Sequence, residues 1–429
     1  MQYARTNGGG RIAGVLAVTA AAWACGGVPA PGGSAKLDDP KALPGQIIVD
    51  PANPAWLKYN GGGPVYLCGP GDPEGLLYLG RRRPDGTRDG DQEKLIRKLI
   101  AHGGNCIYMQ IVRSHGGDGE RDHNPFIGSD PARGLSRPIL DQWERWFRLM
   151  DDGGICIYLF FFDDGVRLWA KGDRVPAAER TFLEAIVRRF KHHKHLIWIV
   201  AEESEEAYSA ARVQAVARVI RRADDHNHLI GDHHHSGVTF KAFQDGGALN
   251  HFAVQWNKPT AGELHDGMVK AWRLAAGRYG LCMSEAKGHT SGMRKKNWAC
   301  AMGGAHAMVL NMDIASTPPA DLKACRIQQQ FLESTDFHTM APHDELARGA
   351  TRYVLADPGR SYIAYAADAR GPVGLKGMTA GTYNLTWVDC VTGKTVRQAG
   401  LHIAAGDRTW ARPDGLGGEL AVWVRRRTD

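Results

Sequence analysis

Residues 196–203 read L-I-W-I-V-A-E-E. Six apolar residues without a polar break describe a strand covered on both faces, because a half-exposed strand would alternate. Such strands belong to parallel sheets, and parallel neighbours need a crossover between them, usually a helix. The flanking segments supply helices: AERTFLEAIVRRFKHH from Ala178 comes before and ARVQAVARVIRRADD from Ala211 after, both with helical spacing of apolar residues.

The same alternation extends in both directions. Strand-like runs are VYLCG from Val65, NCIYMQIV from Asn105, ICIYLFFF from Ile155, LIWIVA from Leu196, LIG from Leu229, FAVQW from Phe252, GLCMS from Gly280 and AMVLN from Ala307. Helical stretches such as DQEKLIRKLIAH from Asp91 and ILDQWERWFRLMDD from Ile139 separate them. Eight buried strands alternating with helices predict a (β/α)8 TIM barrel, here over residues 46–345, opened by a hairpin around IIVD and WLKY. From Ala350 the pattern changes to short alternating strands, RYVLAD, SYIAYAAD, GTYNLTWVDC and GELAVWVRR, set off by glycine-bearing turns. Residues 346–429 are therefore expected to form a small all-β sandwich. The length of 429 residues suits a barrel of typically ~250 residues with loop insertions plus a smaller module.

The N-terminus reads as an export signal. Arg5 and Arg11 precede the apolar run IAGVLAVTAAAWAC, and no acidic residue occurs before Asp38. That run is too short to span a membrane. Ala22-Trp23-Ala24 offers cleavage after Ala24, and Cys25 is the position a lipoprotein signal would use for a lipid anchor. Residues 1–25 thus predict a chain that is secreted, periplasmic or lipid-anchored at the bacterial cell surface, and the Gly/Pro-rich residues 26–45 read as a linker. The formal net charge of +7 falls to +5 without the two signal arginines, which is too mild and too dispersed to indicate nucleic acid. Of eight cysteines, seven lie beyond Cys25 at wide, irregular spacing with no CxxC, so neither a disulfide framework nor a cysteine zinc site is expected. Cys68, Cys106, Cys156 and Cys282 fall inside apolar runs, where cysteine behaves as a small hydrophobe.

In such a barrel the chemistry sits at the C-terminal ends of the strands. Those ends carry Arg113 and His115, Asp163 and Asp164, Glu202 and Glu203, His233 and His235, Gln255 and Trp256, Glu285, and Asp313. Cleaving a glycosidic bond needs one carboxyl group to protonate the leaving oxygen and a second to attack or to activate water. Glu203 after the fourth strand and Glu285 after the seventh are the candidate pair, with Glu202 a rival to Glu203. Glu205 and Glu206 read as acids complementing a helix start. Asp163 and Asp164 would either bind sugar hydroxyls or cap the next segment. Trp169 and Trp256 are either stacking platforms for a sugar ring or core aromatics. The run D-H-H-H from Asp232 suggests a metal, but adjacent side chains do not all face one way, and the first strand ends C-G-P-G-D-P without an H-x-H pair. No metal or cofactor is expected, and His233 or His235 is read as a hydrogen-bonding group for sugar or nucleophile.

The ends W-I-V-A-E-E and C-M-S-E resemble clan A retaining glycosidases, which carry the acid/base in a W-x-x-x-N-E motif after strand four and the nucleophile in a T/S-E motif after strand seven. The resemblance implies Glu203 as acid/base and Glu285 as nucleophile, with Arg113 as the arginine that hydrogen-bonds the nucleophile. Glu202 stands where the clan has Asn. The order of parts is also similar to bacterial apiosidase-like glycosidases, through VYLCGPGDPE, NCIYMQIVRSHGGDG and SYIAYAAD…GTYNLTWVDCVTGKTV, in which a module named for collagen binding follows the barrel. Retaining hydrolysis of a poly- or oligosaccharide is the implied activity. Two other readings stand beside it: a carbohydrate-binding surface protein without catalysis, and a metal-dependent hydrolase using His233, His235 and Asp163 or Asp313.

Overall fold

The computed structural model describes residues 36–70, 75–115, 119–169, 172–234, 240–243, 247–285, 292–307 and 313–427. The expected signal segment, with Cys25, and His235 lie outside these residues. The described chain opens with a three-stranded antiparallel sheet, β1 (Ile47–Val49), β2 (Leu57–Tyr59) and β3 (Pro64–Val65).

A parallel seven-stranded sheet follows, with its strands side by side in chain order: β4 (Cys106–Val112), β5 (Cys156–Phe162), β6 (Leu196–Ala201), β7 (Leu229–His234), β8 (His251–Gln255), β9 (Gly280–Glu285) and β10 (His306–Ala307). Helices α1 (Gln92–His102), α2 (Arg137–Asp152), α3 (Ala177–Phe190) and α4 (Ala210–Ala223) precede β4, β5, β6 and β7 respectively. Helices α5 (Ala261–Ala275) and α6 (Met293–Met302) precede β9 and β10, and α7 (Pro319–Glu333) follows. Every residue of β4, β5 and β6 is buried. Tyr108, Tyr158, Phe160, Ile197, Ile199 and Cys282 pack together on the inner face, and their chain neighbours Met109, Leu159, Trp198 and Met283 join the core beneath the helices. Two covered faces explain why these strands carry no polar alternation.

One expected strand departs from the reading. VYLCG does not run as an eighth strand of the parallel sheet: Val65 ends the opening sheet, and Cys68 forms one isolated parallel bridge to Ala307. The reason is that side chains occupy the backbone groups a ladder would use. Asn105 accepts from the Cys68 N–H at 2.8 Å and donates to the Tyr66 carbonyl at 2.9 Å, while His306 Nδ1 accepts from the Leu67 N–H at 3.1 Å. The segment still joins the two sheet edges. Gly69 N–H donates to Ala307 O and Asn105 N–H to Cys68 O, both at 3.1 Å, so the sheet curls until β10 and β4 are one segment apart.

The C-terminal residues form a six-stranded antiparallel sheet, β11 (Ala341–Pro342), β13 (Tyr353–Asp357), β14 (Ser361–Ala366), β19 (Leu420–Arg426), β16 (Gly381–Asp389) and β17 (Thr395–Ile403), in that order. Facing it is a three-stranded sheet of β12 (Ala347–Gly349), β15 (Val373–Met378) and β18 (Gly406–Trp410). Alternation along β13 and β14 sorts the side chains between two cores. Val354, Ala356, Tyr362 and Ala364 face the smaller sheet, whereas Tyr353, Leu355, Ile363 and Tyr365 join the core of the parallel-sheet unit. Trp298 of α6 stacks on Tyr365 at 5.2 Å and 7°, and His265 of α5 stacks on Tyr353 at 3.7 Å. Arg294 pairs with Glu419 at 2.7 Å across the same junction.

Candidate active site

Parallel strands end on one rim, and the alternation of three neighbouring strands breaks there in step. Ile111 and Val112, Phe161 and Phe162, and Val200 and Ala201 are consecutive pairs that all belong to the helix-side core. The next residues, Arg113, Asp163 and Glu202, are buried to 7%, 0% and 6% exposure, which makes them one level of the interior. Simple alternation from Ile197 and Ile199 would have turned Glu203 inward and Glu202 outward; the break reverses this.

Glu202 is held from β4. The Tyr108 hydroxyl donates to Glu202 Oε1 at 2.6 Å, and the Gln110 amide donates to Oε2. A buried carboxylate is costly unless hydrogen-bonded, and here both oxygens accept. The sequence reading missed Tyr108 and Gln110, although a Gln two residues after a Tyr inside an apolar run is a signal that both face the interior.

Glu203 follows on the rim, half-buried, in the left-handed region at φ 35° and ψ 46°. This conformation is strained for a residue with a Cβ, and such strain persists where surrounding contacts impose it. The imposing contact is on β7: Glu203 N–H donates to His233 Nδ1 at 3.2 Å. Asp164 and Glu206 lie beside Glu203, with one carboxylate oxygen from each of the three within 4.8 Å of the others. Like charges this close repel unless a proton or a cation lies among them.

The D-H-H-H run splits as strand geometry requires. Asp232 accepts from the Ser204 hydroxyl at 2.6 Å and lies 3.4 Å from His234 Nε2, and His234 packs on Phe243 and Phe252 of the helix-side core. Burial alone would lower the His234 pKa, but Asp232 and Glu205 raise it above its usual value. His233 instead packs against Tyr108 and Phe160 of the inner face.

On the other side of the rim the β8 to β9 register shifts between Val254 and Gln255, so that Gln255 lies opposite Glu285. Irregularities of this kind re-aim a side chain at a strand end. Trp256 N–H donates to the Glu285 carbonyl at 3.0 Å, and the Trp256 indole donates to the Glu263 carbonyl at 3.2 Å while lying against Gly267 of α5. A Cβ at position 267 would sit 2.6 Å from that indole nitrogen, so α5 seats the ring. Trp169 packs against Phe126, Phe162 and Phe182. His115 is exposed at φ 80°, its pKa lowered by burial of part of the ring and by Arg121. Asp313 accepts from the N–H groups of Ala315 and Ser316 and closes a local turn, and its pKa is lowered by the Ser316 side chain first and by those backbone bonds.

Comparison with known proteins agrees with this architecture. Residues 87–286 match the family described as "Apiosidase-like, catalytic domain". The fold is shared with a glycoside hydrolase family 5 protein from Bacteroides vulgatus, at 13% identity and a TM-score of 0.64, over 89% of this chain and 93% of that one. A second solved structure, described as a glycoside hydrolase, matches with the same identity and TM-score over 89% of this chain and 97% of its own. No curated protein matches.

Proposed function

We propose that this apiosidase-like domain, on a (β/α)8 barrel closed by residues 66–69, is a retaining glycosidase of exported type, acting on a poly- or oligosaccharide. Glu285 attacks the anomeric carbon, and Glu203 protonates the departing oxygen and then deprotonates the incoming water. The observation that carries this reading is the placement of two half-buried glutamates, Glu203 and Glu285, at the C-terminal ends of β6 and β9 in one parallel sheet, each at a break in backbone regularity. Glu202 is the weaker candidate for the acid/base role because Tyr108 and Gln110 occupy both its oxygens. Arg113 and Asp163, at the level of Glu202, are read as its electrostatic floor, and Gln255 and His233 as groups facing the sugar.

The test is hydrolysis of aryl glycosides and of plant and algal polysaccharides by the chain and by its Glu203→Gln and Glu285→Gln variants. Loss of about 10³-fold or more in kcat for both variants, with unchanged circular dichroism, is expected from removal of one member of a two-carboxylate pair. Retention predicts that the first-formed product keeps the substrate's anomeric configuration by NMR, and a crystal structure should put the two carboxyl groups about 5–5.5 Å apart. Equal activity of all three proteins on a cleaved substrate would remove the glutamate assignment.

A further inference from the structure

At the opposite end of β6 the turn after α3 reads K-H-H-K-H, residues 191–195. We infer that Glu144 of α2 with His192 and His193 of this turn forms a binding site for a divalent transition metal of the zinc class. His192 Nε2 lies 2.9 Å and His193 Nε2 3.6 Å from the same oxygen, Glu144 Oε1, and all three donor atoms lie within 4.8 Å of one another. In a tetrahedral site with metal–ligand bonds of roughly 2.0–2.1 Å, neighbouring donor atoms are about 3.4 Å apart. The two observed separations bracket that edge.

A second observation points to a ligand. His193 is 2% exposed, yet its Nε2 is buried without a hydrogen-bond partner. Leaving a ring nitrogen dry and unmatched is unfavourable. A metal ion would satisfy it. The ring's orientation is also set as in metal sites: Phe147 meets it edge-on and Phe190 lies alongside, while Nδ1 faces Asp151 Oδ2 at 3.9 Å. Asp151 is itself fixed by the main-chain N–H groups of Lys194 and His195. At that distance the carboxylate faces the ring by its charge and not through a hydrogen bond.

Two cations compete for Glu144. Arg148 Nη2 is 3.4 Å from Oε1 and Arg189 Nε 3.8 Å from Oε2. The Arg148 side chain is 69% exposed, and an ion pair of that kind contributes little and can swing away. His192 is 53% exposed, so the fourth coordination position opens to water. A bound ion would pin α2 to the chain entering β6, the strand whose far end carries Glu202 and Glu203.

The experiment titrates tag-free, chelator-treated protein with Zn²⁺ by calorimetry and follows Co²⁺ by its d–d absorption. The wild type is expected to bind one equivalent that His192→Ala, His193→Gln and Glu144→Gln weaken at least tenfold, with a tetrahedral Co²⁺ spectrum and a Zn²⁺-dependent rise in Tm. Asp151→Asn should weaken it about tenfold by removing the negative charge behind the His193 ring. Because His192 is more than half exposed, His192→Ala decides the matter even if His193→Gln fails to fold. Zn²⁺ uptake unchanged in His192→Ala overturns the assignment. So does uptake lost in Glu203→Gln instead, which would put the metal among the acids at the other end of β6. No uptake by the wild type overturns it as well. Glycosidase activity plays no part in the readout, so this inference and the proposed reaction fail separately.

Discussion

The main-chain N–H of Glu203, two residues past the end of β6, donates to His233 Nδ1 on β7 at 3.2 Å. A peptide N–H only donates, so Nδ1 is the acceptor and the neutral ring carries its proton on Nε2. This single contact fixes both the left-handed backbone of Glu203 and the tautomer of His233.

His233→Leu keeps an apolar body and removes the acceptor. We expect kcat on an aryl glycoside to fall roughly 10–100-fold with KM changed little, the scale of a misplaced catalytic group. Steady-state kinetics beside a circular dichroism spectrum check this, and an unaltered kcat would show that the contact does not position Glu203.

Tyr108→Phe removes the donor to Glu202 Oε1 without changing shape. A buried acceptor left short of a partner costs about 1–3 kcal/mol, so urea unfolding should report a loss in that range. The activity loss should be smaller than for Glu203→Gln. A larger one would make Glu202 the proton donor.

The Glu333 carboxyl, on α7, is pushed by burial from 4.5 up to about 7, against the lowering effect of hydrogen bonds from Tyr66 N–H and Gln329. A pKa raised in the folded state means that the folded chain holds a proton the unfolded chain has released. Its contribution to stability is therefore full below pH 4.5 and is lost as pH rises through about 7. The rise from 4.5 to about 7 corresponds to an upper bound of about 3.4 kcal/mol. Glu333→Gln, which still accepts from Tyr66, should flatten the wild-type decline in unfolding free energy between those pH values. An identical pH slope in both proteins would rule Glu333 out as its source.

Ala276 caps α5 in the left-handed region at φ 50° and is exposed. A Cβ there costs roughly 1–2 kcal/mol, partly offset by the chain entropy that glycine adds to the unfolded state. Ala276→Gly should therefore raise stability by about 0.5–1 kcal/mol with no change in activity, measured by thermal or urea unfolding.

Much of this molecule is written locally. The unbroken apolar runs of β5 and β6 require cover on both faces, and a sheet covered on both faces is parallel and helix-clad whatever else the chain does. The alternation in SYIAYAAD likewise decides that Tyr362 and Ile363 face different layers. The placing of carboxylates at strand ends, in W-I-V-A-E-E and C-M-S-E, is equally local, because strand length and its polar stop lie in the same few residues. Three features came only from tertiary structure. Which glutamate turns inward was settled by Tyr108 and Gln110, more than ninety residues away from Glu202 in sequence, together with a break in alternation shared by three strands. The first strand-like run lost its ladder to the side chains of Asn105 and His306, the latter 239 residues from Leu67. Glu144 meets His192 and His193 only because α2 and the turn after α3 pack side by side. The physical division is that hydrophobic period fixes an element and its faces from neighbours in sequence, whereas the partner that satisfies a buried polar group comes from wherever the folded chain returns.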